Sequence, residues 1–151
     1  GFILSAFWIC MTTGRVVSMF AVRRLVPGNL LLINFLGAAA GVLILVLFSK
    51  YLSAIWIGTM LTGFSMGSIF PLLLTFGDKA IGLTGKISGI IFAGTSIGGM
   101  IFPYMNGQFF TRISPKATML SIMLSVISAC MIFILIRIVT ARQENKQRIE
   151  V

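Results

Sequence analysis

The sequence predicts an all-α membrane protein, a polytopic bundle of five transmembrane helices, and three observations lead there. First, 58% of the 151 residues are hydrophobic and only 10% are charged, whereas a soluble domain carries about 25% charged residues to face water. A chain this short has too much surface per volume to hide so many apolar groups. Second, the apolar residues fall into five runs long enough to span a bilayer: a core about 30 Å thick needs about 20 helical residues at about 1.5 Å rise. Third, the net charge of +9 comes mostly from Lys and Arg at the ends of those runs, where membrane proteins carry their orienting charge. A nucleic-acid binder would instead cluster cations on a soluble face among stacking aromatics, so nucleic acid is excluded as a partner and the lipid bilayer takes its place.

The first run covers Phe2 to Ala21, and VRRLVPGN follows it, with Pro27 and Gly28 read as its stop. The second covers Leu30 to Phe48 and is separated by SKY from the third, Leu52 to Phe76. GDKAIGLTGK leads to the fourth, Ile87 to Phe110, and TRISPK to the fifth, Ala117 to Val139. Connections this short make consecutive helices antiparallel neighbours. Residues 141–151, ARQENKQRIEV, read as a polar, frayed tail. The chain opens on Gly1 and runs directly into apolar residues without the basic start of a signal peptide. It is therefore expected to be a fragment of something longer.

Orientation follows from the cations. Arg23, Arg24, Lys79, Lys86, Arg137, Arg142, Lys146 and Arg148 fall on one side, against Lys50, Arg112 and Lys116 on the other. The richer side is expected to be cytoplasmic, and with it the C-terminal tail of a multi-pass protein of the plasma membrane.

Within the spans, small residues recur four apart: Gly37 with Gly41, Gly63 with Gly67, Gly94 with Gly98, and Ser121, Ser125 and Ala129 in the fifth run. Lipid supplies no hydrophobic force between helices, so close backbone approach through small residues takes over. Plain helix packing accounts for each pair. Pro71 and Pro103 each remove a backbone donor inside a helix. Transporters use such breaks near sites and gates, although proline is common in membrane helices anyway.

Arg15 is the one cation well inside a span, and it shares a helix face with Ser5, Trp8 and Thr12. A buried membrane charge faces a polar cavity or a partner. Arg15 also lies roughly 9 Å from the cytoplasmic end at helical rise, so snorkelling to the interface is the competing reading. Asn34 and Asn106 are amides at membrane depth, beside Thr62, Ser65, Ser68, Thr95 and Ser96. Amides and hydroxyls both donate and accept, as a neutral polyol requires. Thr12, Arg15, Asn34 and Asn106 are the candidate substrate-binding residues. Trp8, Trp56 and Tyr104 offer aromatic faces, with Trp56 better read as an interfacial belt residue.

Several chemistries are missing. Histidine is absent, Cys10 and Cys130 are far apart in separate runs, and no metal-ligand spacing occurs. No cofactor or metal is expected, and an enzyme would want the intramembrane His or acid that is lacking. The only acids are Asp78, Glu144 and Glu150, all outside the apolar runs, so these spans do not complete an acidic coupling site for sodium or protons.

The stretch SAFWICMTTGRVVS, followed by RRLVPGN, resembles the eighth helix and following loop of major facilitator superfamily sugar transporters. The similarity is to the branch of the fucose–proton symporter and the sodium-dependent glucose transporter 1-like proteins. GFSMGSIFPLLLTFGDKAIGLTGKISGIIFAGTSIGGMIFPYMNGQFF, with Phe70-Pro71 and Gly98-Gly99, resembles that branch's tenth and eleventh helices. RRLVPGN keeps the arginines of the superfamily's loop signature but has no Asp. The resemblance implies a partial major facilitator fold, helices eight to twelve of twelve, whose partner is the N-terminal part of the transporter. It implies a sugar, such as a hexose, as solute, moved by alternating access with sodium, protons or no ion coupled to it. The alternative is a polytopic receptor or scaffold subunit that transports nothing, which would carry a large soluble domain or a signalling motif in its loops.

Overall fold

The computed structural model describes residues 1–82 and 84–149, with backbone alone at 80, 81 and 141–149. It holds five helices: α1 (Phe2–Ala21), α2 (Pro27–Leu47), α3 (Leu52–Ile81), α4 (Gly85–Arg112) and α5 (Pro115–Ile149). No strand occurs among the described residues. All five are long and apolar enough to cross a membrane, so the chain is an integral, multi-pass membrane protein.

The helices run longer than the apolar runs that mark them, and each difference has a local cause. Pro27 and Gly28 do not stop α1; they begin α2, with Pro27 in its first turn. A proline there loses only a donor that had no partner inside the helix, and its fixed φ suits the start. The third helix continues past Phe76 to Ile81 and ends at Gly82, which adopts φ 64° and donates its N–H to the Asp78 carbonyl at 2.9 Å. Glycine takes that left-handed conformation without a Cβ penalty. The α3–α4 connection is thereby shortened to residues 82–84. Ser114 caps α5: its Oγ accepts the Ala117 N–H at 3.2 Å, with Pro115 opening the helix. The helix then continues to Ile149, through the stretch expected to fray. The side chains of Arg142, Glu144, Lys146, Arg148 and Glu150 lie outside the described residues.

α3 organises the bundle. It packs against α1 and α2, α5 packs on α2, and α4 packs on α5. Its Gly58, Thr62 and Ser65 face α2, where a Cβ on Gly58 would meet the Gly41 carbonyl at 2.9 Å. Its Gly63 and Gly67 face α1, where a Cβ on Gly63 would meet the Phe7 carbonyl at 2.8 Å. These small residues let backbones touch, as packing in lipid requires. The Gly94 and Gly98 pair on α4 does not act in this way here, since an added Cβ would meet nothing within 4 Å.

The apolar core lies where α2, α3 and α5 meet, built on Leu30, Leu31, Phe35, Leu72 and Phe133. The Phe133 ring sits 5.6 Å from Phe35 and 5.5 Å from Phe76, centroid to centroid. Beyond it, Arg137 of α5 donates to the Asn29 side-chain oxygen of α2. The α1–α2 loop, the last turns of α3 and Arg137 therefore share one end of the bundle. The outward surface is apolar, as with Phe2, Met100 and Leu124, which is the surface a bilayer stabilises and water does not.

Candidate functional site

The seam between α1 and α3 carries two side-chain hydrogen bonds from one helix to the other at membrane depth. Residues 7, 11 and 14 of α1 lie against 63, 67 and 64 of α3, so the two helices run parallel. A Cβ on Gly14 would overlap the Phe64 carbonyl, and one on Gly67 would overlap the Met11 carbonyl. Such proximity brings each backbone within reach of the other helix's side chains. Ser68 Oγ donates to the Gly14 carbonyl at 2.8 Å, and Arg15 Nε donates to the Gly67 carbonyl at 3.1 Å. The two bonds cross the seam in opposite directions.

The Gly67 acceptor has a specific origin. In an α-helix the carbonyl of residue 67 receives the N–H of residue 71, and residue 71 is Pro71, inside α3. Proline has no N–H to give. Arg15 supplies a donor to the carbonyl that Pro71 leaves without its helical partner. Its Nε is thus engaged with α3, a partner that neither sequence reading of Arg15 names. Ser5, Trp8, Thr12 and Arg15 are all exposed, one stripe along α1.

The other candidates are placed apart. The Thr12 hydroxyl donates to the Trp8 carbonyl at 2.9 Å within α1. Asn34 is 6% exposed, in the packed face of α2, and its Nδ2 donates to the Leu30 carbonyl at 2.8 Å. Asn106 belongs to α4, where its main-chain carbonyl accepts the Thr118 hydroxyl of α5 at 3.3 Å. Its Oδ1 is buried and accepts no hydrogen bond among the described residues, a costly state for an amide oxygen. The structure thus brings Thr12 and Arg15 to one stripe, puts Asn34 inside a packed interface, and sets Asn106 beside α5. Thr95 and Ser96, also on α4, return their hydroxyls to the Ile91 and Phe92 carbonyls of their own helix.

The sequence marks Ser68 only as one polar group at membrane depth and Gly67 only as half of a small-residue pair. The Gly67 carbonyl was findable, being four residues before an intrahelical proline. Its partner was not, because the register between α1 and α3 is a tertiary fact.

A parallel-and-antiparallel bundle of membrane helices joined through glycine contacts and a proline-relieved carbonyl defines a polytopic helical membrane protein. Its relatives are more particular. The chain is 32% identical over 103 residues, 68% of its length, to sodium-dependent glucose transporter 1 of Danio rerio. It is 28% identical over 147 residues, 95% of its length, to the protein of the same name in Xenopus laevis. It is also 27% identical over 110 residues, 73% of its length, to major facilitator superfamily domain-containing protein 4A of Homo sapiens. The chain is homologous to sodium-dependent glucose transporter 1 and to major facilitator superfamily domain-containing protein 4A. It spans 17%, 30% and 21% of those three relatives. No family model matches the chain, and neither does any solved structure.

Proposed function

We propose that the chain is the C-terminal part, helices eight to twelve, of a transporter that carries a small neutral solute, with a hexose sugar the best candidate, by alternating access in the plasma membrane. The observation that carries this reading is the 32% identity to a sodium-dependent glucose transporter 1 over 103 residues. Its partners are then the sugar, the bilayer and the N-terminal helices that its relatives' greater length accommodates. The relatives named as sodium-dependent support sodium as the coupling ion over protons. Among the described side chains the one acid is Asp78, in the last turns of α3 and not at membrane depth, so coupling through an acid there falls to the other helices. Homology to transporters also supports a role that is not enzymatic.

In this reading the exposed stripe of α1 faces the solute. Arg15 presents its terminal nitrogens and Thr12 its hydroxyl, both suited to sugar hydroxyls. Asn106 contributes its Oδ1, which accepts no hydrogen bond among the described residues. Asn34 sits behind them and reaches a solute only when α2 and α3 part. The C-terminal tail faces the cytoplasm by the excess of cations on that side.

The test is uptake of labelled hexose by the complete protein at equal surface expression. Arg15→Lys keeps the charge but loses the planar fork of donors, and uptake is expected to fall roughly tenfold, the cost of about 1.4 kcal/mol. Unchanged kinetics in Arg15→Lys remove Arg15 from the solute path.

A further inference from the structure

We infer that Arg15 is a positioning residue for α3: its Nε stands in for the backbone donor that Pro71 lacks, fastening α1 to α3 at the turn where α3 has lost its own hydrogen bond. Three observations converge. Pro71 lies inside a continuous helix, so the carbonyl four residues earlier, at Gly67, has no N–H from its own ladder. Arg15 Nε donates to that carbonyl across the seam at 3.1 Å. Glycine at 67 is what makes the approach feasible, because any Cβ there would overlap the Met11 main chain and push α1 away.

The neighbouring bond strengthens the case. Ser68 Oγ returns a hydrogen bond from α3 to the Gly14 carbonyl of α1 at 2.8 Å. The two helices are thus cross-tied at consecutive residues on both sides, 14 and 15 against 67 and 68. In lipid an unmet carbonyl has no water to turn to, so the guanidinium relieves a penalty as well as adding a contact. The same link has a consequence for α1. With Nε engaged, the guanidinium plane is held, and its terminal nitrogens keep a defined position on the stripe shared with Thr12 and Trp8. Motion of α1 relative to α3 must break this tie or carry both helices together.

The device does not recur at the second intrahelical proline. Pro103 leaves the Gly99 carbonyl in the same condition, but α4 packs mainly against α5, touches α3 through the Phe92 and Phe70 rings at 5.6 Å, and leaves a Cβ at Gly98 or Gly99 with nothing within 4 Å. The Arg15–Gly67 link therefore answers one particular break and is not a general feature of the bundle.

The structural part of this inference does not depend on the transport reading, and its test reads stability, so the two can fail separately. In the full-length protein, the thermal midpoint in native membranes is measured for Arg15→Met, Pro71→Ala and the double variant. Arg15→Met is expected to lower the midpoint by roughly 3 °C where Pro71 is present. Alanine at 71 restores the N–H to the Gly67 carbonyl, so the same change in the Pro71→Ala background is expected to move the midpoint by less than about 1 °C. Equal shifts in both backgrounds overturn the inference. If Arg15→Met alone does not accumulate, its rescue by Pro71→Ala is the supporting result and failure to rescue is the opposing one. A measurement free of substitutions stands beside the cycle: solid-state NMR of the protein labelled with 15N-arginine and 13C-carbonyl glycine. It should show a through-space contact from one arginine Nε to one glycine carbonyl, lost in Arg15→Met; no such contact in the unsubstituted protein overturns the assignment.

Discussion

Gly14→Ala adds one methyl group at the point where α1 and α3 are closest. The new Cβ would overlap the Phe64 carbonyl, which is backbone and does not swing aside as a side chain would. The helices must therefore separate, and both cross-seam bonds lengthen with them, Ser68 to Gly14 from 2.8 Å and Arg15 to Gly67 from 3.1 Å. Overpacking of a tight contact costs about 1–3 kcal/mol. Two interhelical hydrogen bonds in a membrane bundle are worth about 0.6 kcal/mol each. The sum is a destabilisation of about 2–4 kcal/mol. The same substitution at Gly94, where a Cβ meets nothing within 4 Å, should instead stabilise by up to about 1 kcal/mol, through helix propensity alone. The assay is the unfolding midpoint of the 151-residue chain in bicelles, titrated with SDS, for the two variants side by side. Opposite signs are expected. A neutral Gly14→Ala, or equal effects at both glycines, refutes the packing described for the α1–α3 seam.

Three further outcomes are expected. Single cysteines replacing Arg24 or Lys86 should resist a membrane-impermeant reagent applied from outside, while those replacing Lys50 or Lys116 should react; the reverse pattern inverts the orientation. Ser68→Ala should cost about 0.6 kcal/mol in the same bicelle titration, and a change near zero removes that bond from the account. The 151-residue chain reconstituted alone should not accumulate labelled sugar in vesicles, because alternating access needs a second half to rock against; uptake by this chain alone contradicts the proposed division of labour.

The membrane class and the five spans were legible because hydropathy over about 20 residues is a strong signal that no tertiary contact has to supply. Helix ends were less so. Pro27 reads equally as the stop of one helix or the first turn of the next, and only the chain's path decides. Gly77 and Asp78 look like a turn, yet α3 passes through them and ends at Gly82, where a positive φ is needed. Glycine pairs at four-residue spacing were visible, but which helix each pair meets depends on bundle geometry. Gly37 and Gly41 meet α3, Gly63 and Gly67 meet α1, and a Cβ on Gly94 or Gly98 would meet nothing within 4 Å among the described residues. Arg15 stood out in the sequence as a costly residue in a span. Its actual partner was hidden, since a carbonyl released by Pro71 and a guanidinium 52 residues earlier are joined only by packing. Asn34 was chosen for its polarity, and burial in the α2 interface is invisible at that level.

The most direct test of the central claim is uptake of labelled glucose by proteoliposomes carrying the complete protein to which this chain belongs, with and without an inward sodium gradient. Saturable uptake that unlabelled hexose competes away, and that the sodium gradient increases, is the predicted result. Uptake no greater than in empty vesicles under either gradient, for a protein shown to be folded and inserted, contradicts the account.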